Sequence, residues 1–148
     1  MESFSPELIK LNYFALDKKS CLTDMAEYLF EKGVISSLDE FFEVLMERES
    51  IMSTGIGRGV AIPHGRSASV NELKILVYIL NNELEFDSID ESPVKIVFMI
   101  AVPDHMKQAY MKVLSQISNF CQKEENLSDI FSCETKQGIF KVLQRMDL

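Results

Sequence analysis

The sequence contains no apolar run near the roughly 20 residues that a membrane-spanning helix needs. Its start, with Glu2 and Pro6, lacks the basic opening and apolar middle of a secretory signal, so no membrane insertion and a cytoplasmic location are expected. Positive charge is also scarce: 15 Lys and Arg stand against 23 Asp and Glu, a net charge of −8, which argues against nucleic acid as a partner. Three cysteines, Cys21, Cys121 and Cys133, are odd in number, far apart and never in a C-x-x-C pair, which excludes a disulfide framework and a zinc site. With only two histidines, a mononuclear metal centre would have to gather His64, His105 and distant acids, and no metal or cofactor is expected. There is no lysine with a hydroxyl residue in phosphate-loop spacing, no G-x-S-x-G elbow, no repeat and no linker.

What remains is 148 residues, 47% hydrophobic and 26% charged, the balance of one globular domain spanning 1–148. Its most informative stretch runs from Arg48 to Arg66. Gly55, Gly57 and Gly59 alternate there and predict a tight, irregular loop. A dinucleotide fingerprint is excluded, because Val60 follows where that pattern continues toward its third glycine and a strand-like run takes the place of a helix. Val60, Ala61 and Ile62 read as that strand, and Pro63 removes a backbone donor, so His64 is placed where a strand must stop. With Arg48, Arg58 and Arg66 close in sequence, a neutral imidazole and guanidinium groups could handle an anion. Spacing alone leaves two readings of His64, a polar residue at a sheet rim and a nucleophile.

The remainder alternates helices and strands. Residues Leu8 to Leu16 suggest a short strand or turn leading through Asp17 to a helix cap. Leu22, Met25, Ala26, Leu29 and Phe30 mark an amphipathic helix closed by Gly33. Ser37 with Glu40 forms a capping-box pattern, and Leu38, Phe41, Phe42, Leu45 and Met46 give a second helix with Glu43, Glu47 and Glu49 on its wet face. At its end, Arg48 is a cation favoured by the helix dipole. Ser67 to Glu72 is read as exposed and available for docking, Leu73 to Leu80 as a strand, Asn81-Asn82 as a turn, and Leu84 to Ile89 as a brief edge strand or loop. The almost unbroken apolar run Val94 to Val102 is the central strand; Pro103 ends it, and Asp104 would cap a helix carrying Met106, Tyr110, Val113, Leu114, Ile117 and Phe120. Two shorter helical pieces complete an α/β layout.

The string Ser53-Thr54-Gly55-Ile56-Gly57-Arg58-Gly59-Val60-Ala61-Ile62-Pro63-His64-Gly65 closely resembles the phosphohistidine motif of enzyme IIA proteins of the bacterial phosphotransferase system, in the fructose, mannitol and nitrogen-regulatory class. Phe86-Asp87-Ser88-Ile89-Asp90, with Pro93-Val94, follows at that family's interval, so the resemblance covers nearly the whole chain. It implies an α/β fold in which a mixed β-sheet is flanked by helices on both faces. It further implies that His64 accepts a phosphoryl group on Nε2 from the carrier HPr, with Nδ1–H held by a carbonyl, and passes it to a cysteine of an enzyme IIB or reports to a regulated target. Arg48 would stabilise the phosphate; Ser53, Thr54, Gly65, Tyr110 and His105 would surround it, and neither metal nor nucleotide is called for. Many relatives carry a second histidine on the helix after the apolar strand. In the matching register, Tyr110-Met111-Lys112-Val113-Leu114, that position holds Tyr110, while His105 lies five residues earlier. The motif leans toward the nitrogen-regulatory branch; a sugar-transport subunit and a binding regulator of the same fold are the alternatives.

Overall fold

The computed structural model describes residues 3–146. After a single 3₁₀ turn at Pro6–Leu8, the order is β1 (Ile9–Tyr13), α1 (Lys18–Glu31), α2 (Leu38–Ile51), β2 (Gly55–Gly57), β3 (Val60–Ala61), β4 (His64–Ser67), β5 (Lys74–Leu84), β6 (Val94–Pro103), α3 (Lys107–Cys121), α4 (Glu124–Ser132) and α5 (Lys136–Leu143). Among the described residues the strands form one six-stranded sheet ordered β1-β5-β6-β3-β2, with β4 also paired to β6. The sheet is mixed: β1 runs parallel to β5, β5 antiparallel to β6, and β6 parallel to both β3 and β4.

The side-chain alternation of a strand explains the layers. On β5, Leu76, Tyr78 and Leu80 join Leu22, Met25 and Leu29 of α1 and Phe41 and Leu45 of α2 in one core. Ile75, Val77 and Ile79 point the other way, with Ile96, Phe98 and Ile100 of β6, into a second core built with Val113 and Ile117 of α3, Ile130 of α4 and Ile139 of α5. The sheet is therefore covered on both faces, as the resemblance implies, and β6 is its apolar centre. Removing a ring such as Phe98, fully buried at 0% exposure, would cost about 3–5 kcal/mol.

Several expectations need correction. Helix α1 starts at Lys18, earlier than the apolar stripe suggests, because the Asp17 side chain accepts from the Ser20 N–H. Ser37 does cap α2 by accepting from the Glu40 N–H, but Glu40 reaches out to the Ser67 hydroxyl at 3.4 Å. Asn81 and Asn82 make no turn: β5 runs through them, with a register shift, because the Asn82 amide bonds both the N–H and the carbonyl of Ala15. Ser67, Ser69 and Val70 are buried rather than exposed, leaving Arg66, Ala68, Asn71 and Glu72 as the wet positions. Their hydroxyls explain it, since Ser67 and Ser69 bond each other at 2.9 Å. Between β5 and β6 the chain takes a loop, one of the two forms expected there, whereas α3 is entered through Met106, without a side-chain cap from Asp104.

His64 does not end a strand; it begins one. Val60↔Ile96 and Ala61↔Val97 on β3 keep the same register against β6 as His64↔Ile100 and Gly65↔Ala101 on β4. The line is interrupted only at Ile62–Pro63, where proline has no N–H to give. The Pro63 carbonyl still accepts from Ile100 N at 3.0 Å, which sets His64 firmly on the edge of β6.

Candidate functional site

The loop from α2 to β4 is shaped by close approaches that a larger residue would block. A Cβ on Gly55 would collide with the backbone and side chain of Ser88, which allows the segment around Phe86–Asp90 to lie directly against β2. Gly57 and Gly59 take φ of +98° and +81°, turning the chain between β2 and β3. Gly65 faces Phe41, whose ring carbon Cε1 a Cβ would meet at 3.1 Å. Gly65 thus lets α2 pack onto β4 beside the site.

His64 is 7% exposed. Its Nδ1 lies 2.9 Å from the Ile62 carbonyl oxygen. A carbonyl can only accept, so the proton sits on Nδ1 in the neutral ring, and Nε2 keeps its lone pair. Nε2 is buried and has no hydrogen-bond partner. Burial is the main influence that lowers the imidazole pKa below its ordinary 6.5; the hydrogen bond to Ile62 opposes it, the Arg48 charge assists, and Glu49 pulls upward. The ring is neutral at pH 7 and nucleophilic at one nitrogen.

A cavity of about 470 Å³ opens at this ring, lined by Arg48, Ser53, Thr54 and His64 on the loop side and by Met111, Leu114 and Ser115 of α3 opposite. Arg48 Nη1 donates to the Met52 carbonyl at 2.7 Å, which folds the guanidinium over the end of α2. Ser53 Oγ donates to the Phe86 carbonyl at 2.6 Å, and Thr54 is buried. The Tyr110 ring packs at 5.1 Å from the imidazole centroid, tilted by 46°. Its phenol is pushed up by burial, with the Arg48 and Arg66 charges acting the other way, so it stays protonated at neutral pH.

Of the residues singled out from sequence, the structure gathers Arg48, Ser53, Thr54, Gly65 and Tyr110 around His64. His105 stands in solvent, its side chain 77% exposed and 3.8 Å from Asp104. Two of the neighbouring arginines are engaged elsewhere: Arg66 donates to the Asp104 carbonyl and Arg58 to that of Gln122. Cys21 and Cys121 are buried thiols, each pushed up to about 12 by that burial, and stay protonated. No group of three His, Cys, Asp or Glu among the described residues is arranged to hold a metal ion.

Glu49 was missed by sequence reasoning and overturns the expectation of a wet face. It is 7% exposed, and its Oε2 pairs with Lys18 Nζ at 2.8 Å. The Thr54 hydroxyl donates to Oε1 and the Thr54 N–H to Oε2 at 3.2 Å. Lys18 also reaches the Phe86 carbonyl at 3.3 Å and lies over the Phe86 ring. A helical wheel puts Glu49 in the last turn of α2 without revealing that α1 begins against it.

Known proteins resemble this chain along nearly its whole length. Residues 2–146 match the family described as phosphoenolpyruvate-dependent sugar phosphotransferase system, EIIA 2. The fructose-specific EIIABC component of Bacillus subtilis is 30% identical over 146 residues, covering 99% of this chain and 23% of that longer protein. The crystal structure of nitrogen regulatory protein IIA-Ntr from Neisseria meningitidis superposes with a TM-score of 0.88 at 27% identity, over 94% of each chain. Enzyme IIA for mannitol from Escherichia coli, solved in complex with phosphorylated enzyme IIB, shares the fold with a TM-score of 0.82 at 17% identity, over 96% of this chain and 97% of that one.

Proposed function

Because the chain belongs to the EIIA 2 family of the phosphoenolpyruvate-dependent sugar phosphotransferase system, we propose that His64 is its phosphoryl acceptor and that the protein is a phosphocarrier. The observation carrying this reading is the imidazole whose Nδ1–H is fixed on the Ile62 carbonyl while Nε2 is left without a partner beside the cavity. In the transfer, the Nε2 lone pair attacks phosphorus in line as the bond from phosphorus to the donor histidine breaks. The donor nitrogen keeps that electron pair. Such a loose transfer asks the protein for positioning and charge stabilisation rather than further covalent chemistry. Arg48 supplies the positive charge, and the Ser53 and Thr54 segment forms the adjoining wall. Tyr110 can offer the phosphoryl oxygens one hydrogen bond but no charge.

The donor is a protein of the HPr type, and the acceptor is an enzyme IIB cysteine or a regulated target. Met52, Ile89 and Met111, exposed by 61%, 71% and 55%, line the cavity mouth and offer apolar contact to such a partner. The likeness to nitrogen regulatory protein IIA-Ntr is in keeping with the regulatory branch, while the 30% identity to a fructose-specific component keeps the transport reading as the alternative; under the regulatory reading, the new negative charge at His64 decides which partner binds. As a carrier of this family the protein works in the cytoplasm; no helix among the described residues is long and apolar enough to cross a membrane.

The test is to incubate the protein with phosphoenolpyruvate, enzyme I and HPr. An acid-labile phosphoryl group should form, absent in His64→Ala. Onward transfer to an enzyme IIB cysteine would favour transport over regulation.

A further inference from the structure

We propose that Glu49, clamped by Lys18, is a positioning residue that fixes the tautomer of His64 through Thr54 and Ile62. This deepens the reading of His64 as acceptor and rests on it.

The path is a run of consecutive polar contacts. Both carboxylate oxygens of Glu49 hold the same residue, one through the Thr54 hydroxyl and one through its N–H. The Thr54 carbonyl then accepts from Ile62 N at 3.0 Å, and the Ile62 carbonyl accepts from His64 Nδ1 at 2.9 Å. The middle step is main chain to main chain, the last delivers the His64 ring to the Ile62 main-chain carbonyl, and the first clamps the Thr54 main chain itself. Lys18 closes the other end, and the Phe86 carbonyl receives both the Lys18 ammonium and the Ser53 hydroxyl, so the loop is held from α1, from α2 and from the segment before β6.

This matters chemically because the neutral histidine ring favours the proton on Nε2 in water. That form has no lone pair on the nitrogen facing the donor. The site must reverse the preference, and among the described residues Nδ1–H finds its acceptor in the Ile62 carbonyl. A buried ion pair contributes little to stability compared with apolar packing of the same volume, but it imposes orientation. Here the orientation imposed is that of Thr54, hence of Ile62, hence of the ring. Glu49 touches neither phosphorus nor imidazole, so it acts through its neighbours.

The experiment uses the full-length protein labelled with ¹⁵N-histidine, with His64 read by two-bond proton–nitrogen correlation spectra above its titration. No phosphoryl donor is needed. The wild type should show Nδ1–H. Glu49→Ala should shift the ring toward Nε2–H and slow phosphoryl acceptance at saturating phospho-HPr by about tenfold or more. Glu49→Gln retains an oxygen for the Thr54 N–H and should recover most of both signals. Thr54→Val removes only the hydroxyl arm, should fall between them, and carries the test if Glu49→Ala does not fold. Unchanged tautomer signals in Glu49→Ala and Thr54→Val would overturn the proposal, as would equal loss in Glu49→Gln and Glu49→Ala. A wild-type ring that follows Glu49 in this way yet never takes phosphate would support the positioning role and overturn the phosphocarrier reading instead.

Discussion

The two walls of the His64 cavity are held by different means. On one side, the segment from Arg48 to Thr54 is pinned by the Lys18–Glu49 pair, by Ser53 on the Phe86 carbonyl and by Arg48 on that of Met52. On the other, the corner leading from β6 into α3 enters its helix through Met106 without a side-chain cap, is tied to the sheet through Met106 N on Pro103 O and Arg66 on the Asp104 carbonyl, and presents the half-buried Tyr110 and the exposed His105. Under the proposed function, the pinned wall would supply charge and tautomer and the other an aromatic cover. On the proposed reading, the difference separates the groups that would have to be held for transfer, the accepting nitrogen and its arginine, from the side that covers Nε2, which is buried here.

If that division holds, substitutions on the two walls should differ in kind. The largest effect is expected from Arg48→Met, which removes the charge that compensates a phosphoryl group and should slow acceptance about 100-fold or more, whereas His105→Gln should leave it within about twofold, both read by label transfer from HPr. Next, Tyr110→His would place a cation-forming ring beside the phosphohistidine and lengthen the life of the phospho-form severalfold, while Tyr110→Phe would change it little; equal lifetimes in the natural protein and Tyr110→His would show that the cover has no bearing on the phosphate. Gly55→Ala should destabilise the fold by about 1–3 kcal/mol in denaturant titration, because the Ser88 backbone blocks its Cβ. The smallest effect concerns pH. With the folded pKa of His64 below 6.5, acceptance should persist to slightly acid pH and fade only as the ring titrates. The unfolded chain takes the proton first, so stability should decline as pH drops below about 6.5, less steeply in His64→Ala.

Much of this was legible from residues. The glycine spacing and Pro63 located the loop and His64, and the apolar run of β6 identified the sheet's centre, since local backbone rules act there without help from distant residues. Several of the failures concern polar residues whose partners the local pattern did not reveal. Glu49 looked solvated because only α2 was in view; its burial depends on Lys18, 31 positions earlier, arriving at the start of α1. Ser67 and Ser69 looked exposed because hydroxyls are polar, yet the two buried hydroxyls satisfy each other, and Ser67 also donates to the exposed Glu40. Asn81-Asn82 looked like a turn because asparagine favours turns, while Ala15 across the sheet keeps the strand going. For Glu49 and Asn82 the decisive partner is far away in sequence, whereas Ser67 and Ser69 are near neighbours that satisfy each other.

The central claim is that one nitrogen of one histidine takes the phosphoryl group. Phosphorylate the protein with ³²P through enzyme I and HPr, and map the label in the wild type, His64→Ala and His105→Ala. Label confined to His64, lost in His64→Ala and retained in His105→Ala, is the predicted result. Undiminished label in His64→Ala, or label residing on His105, would contradict it.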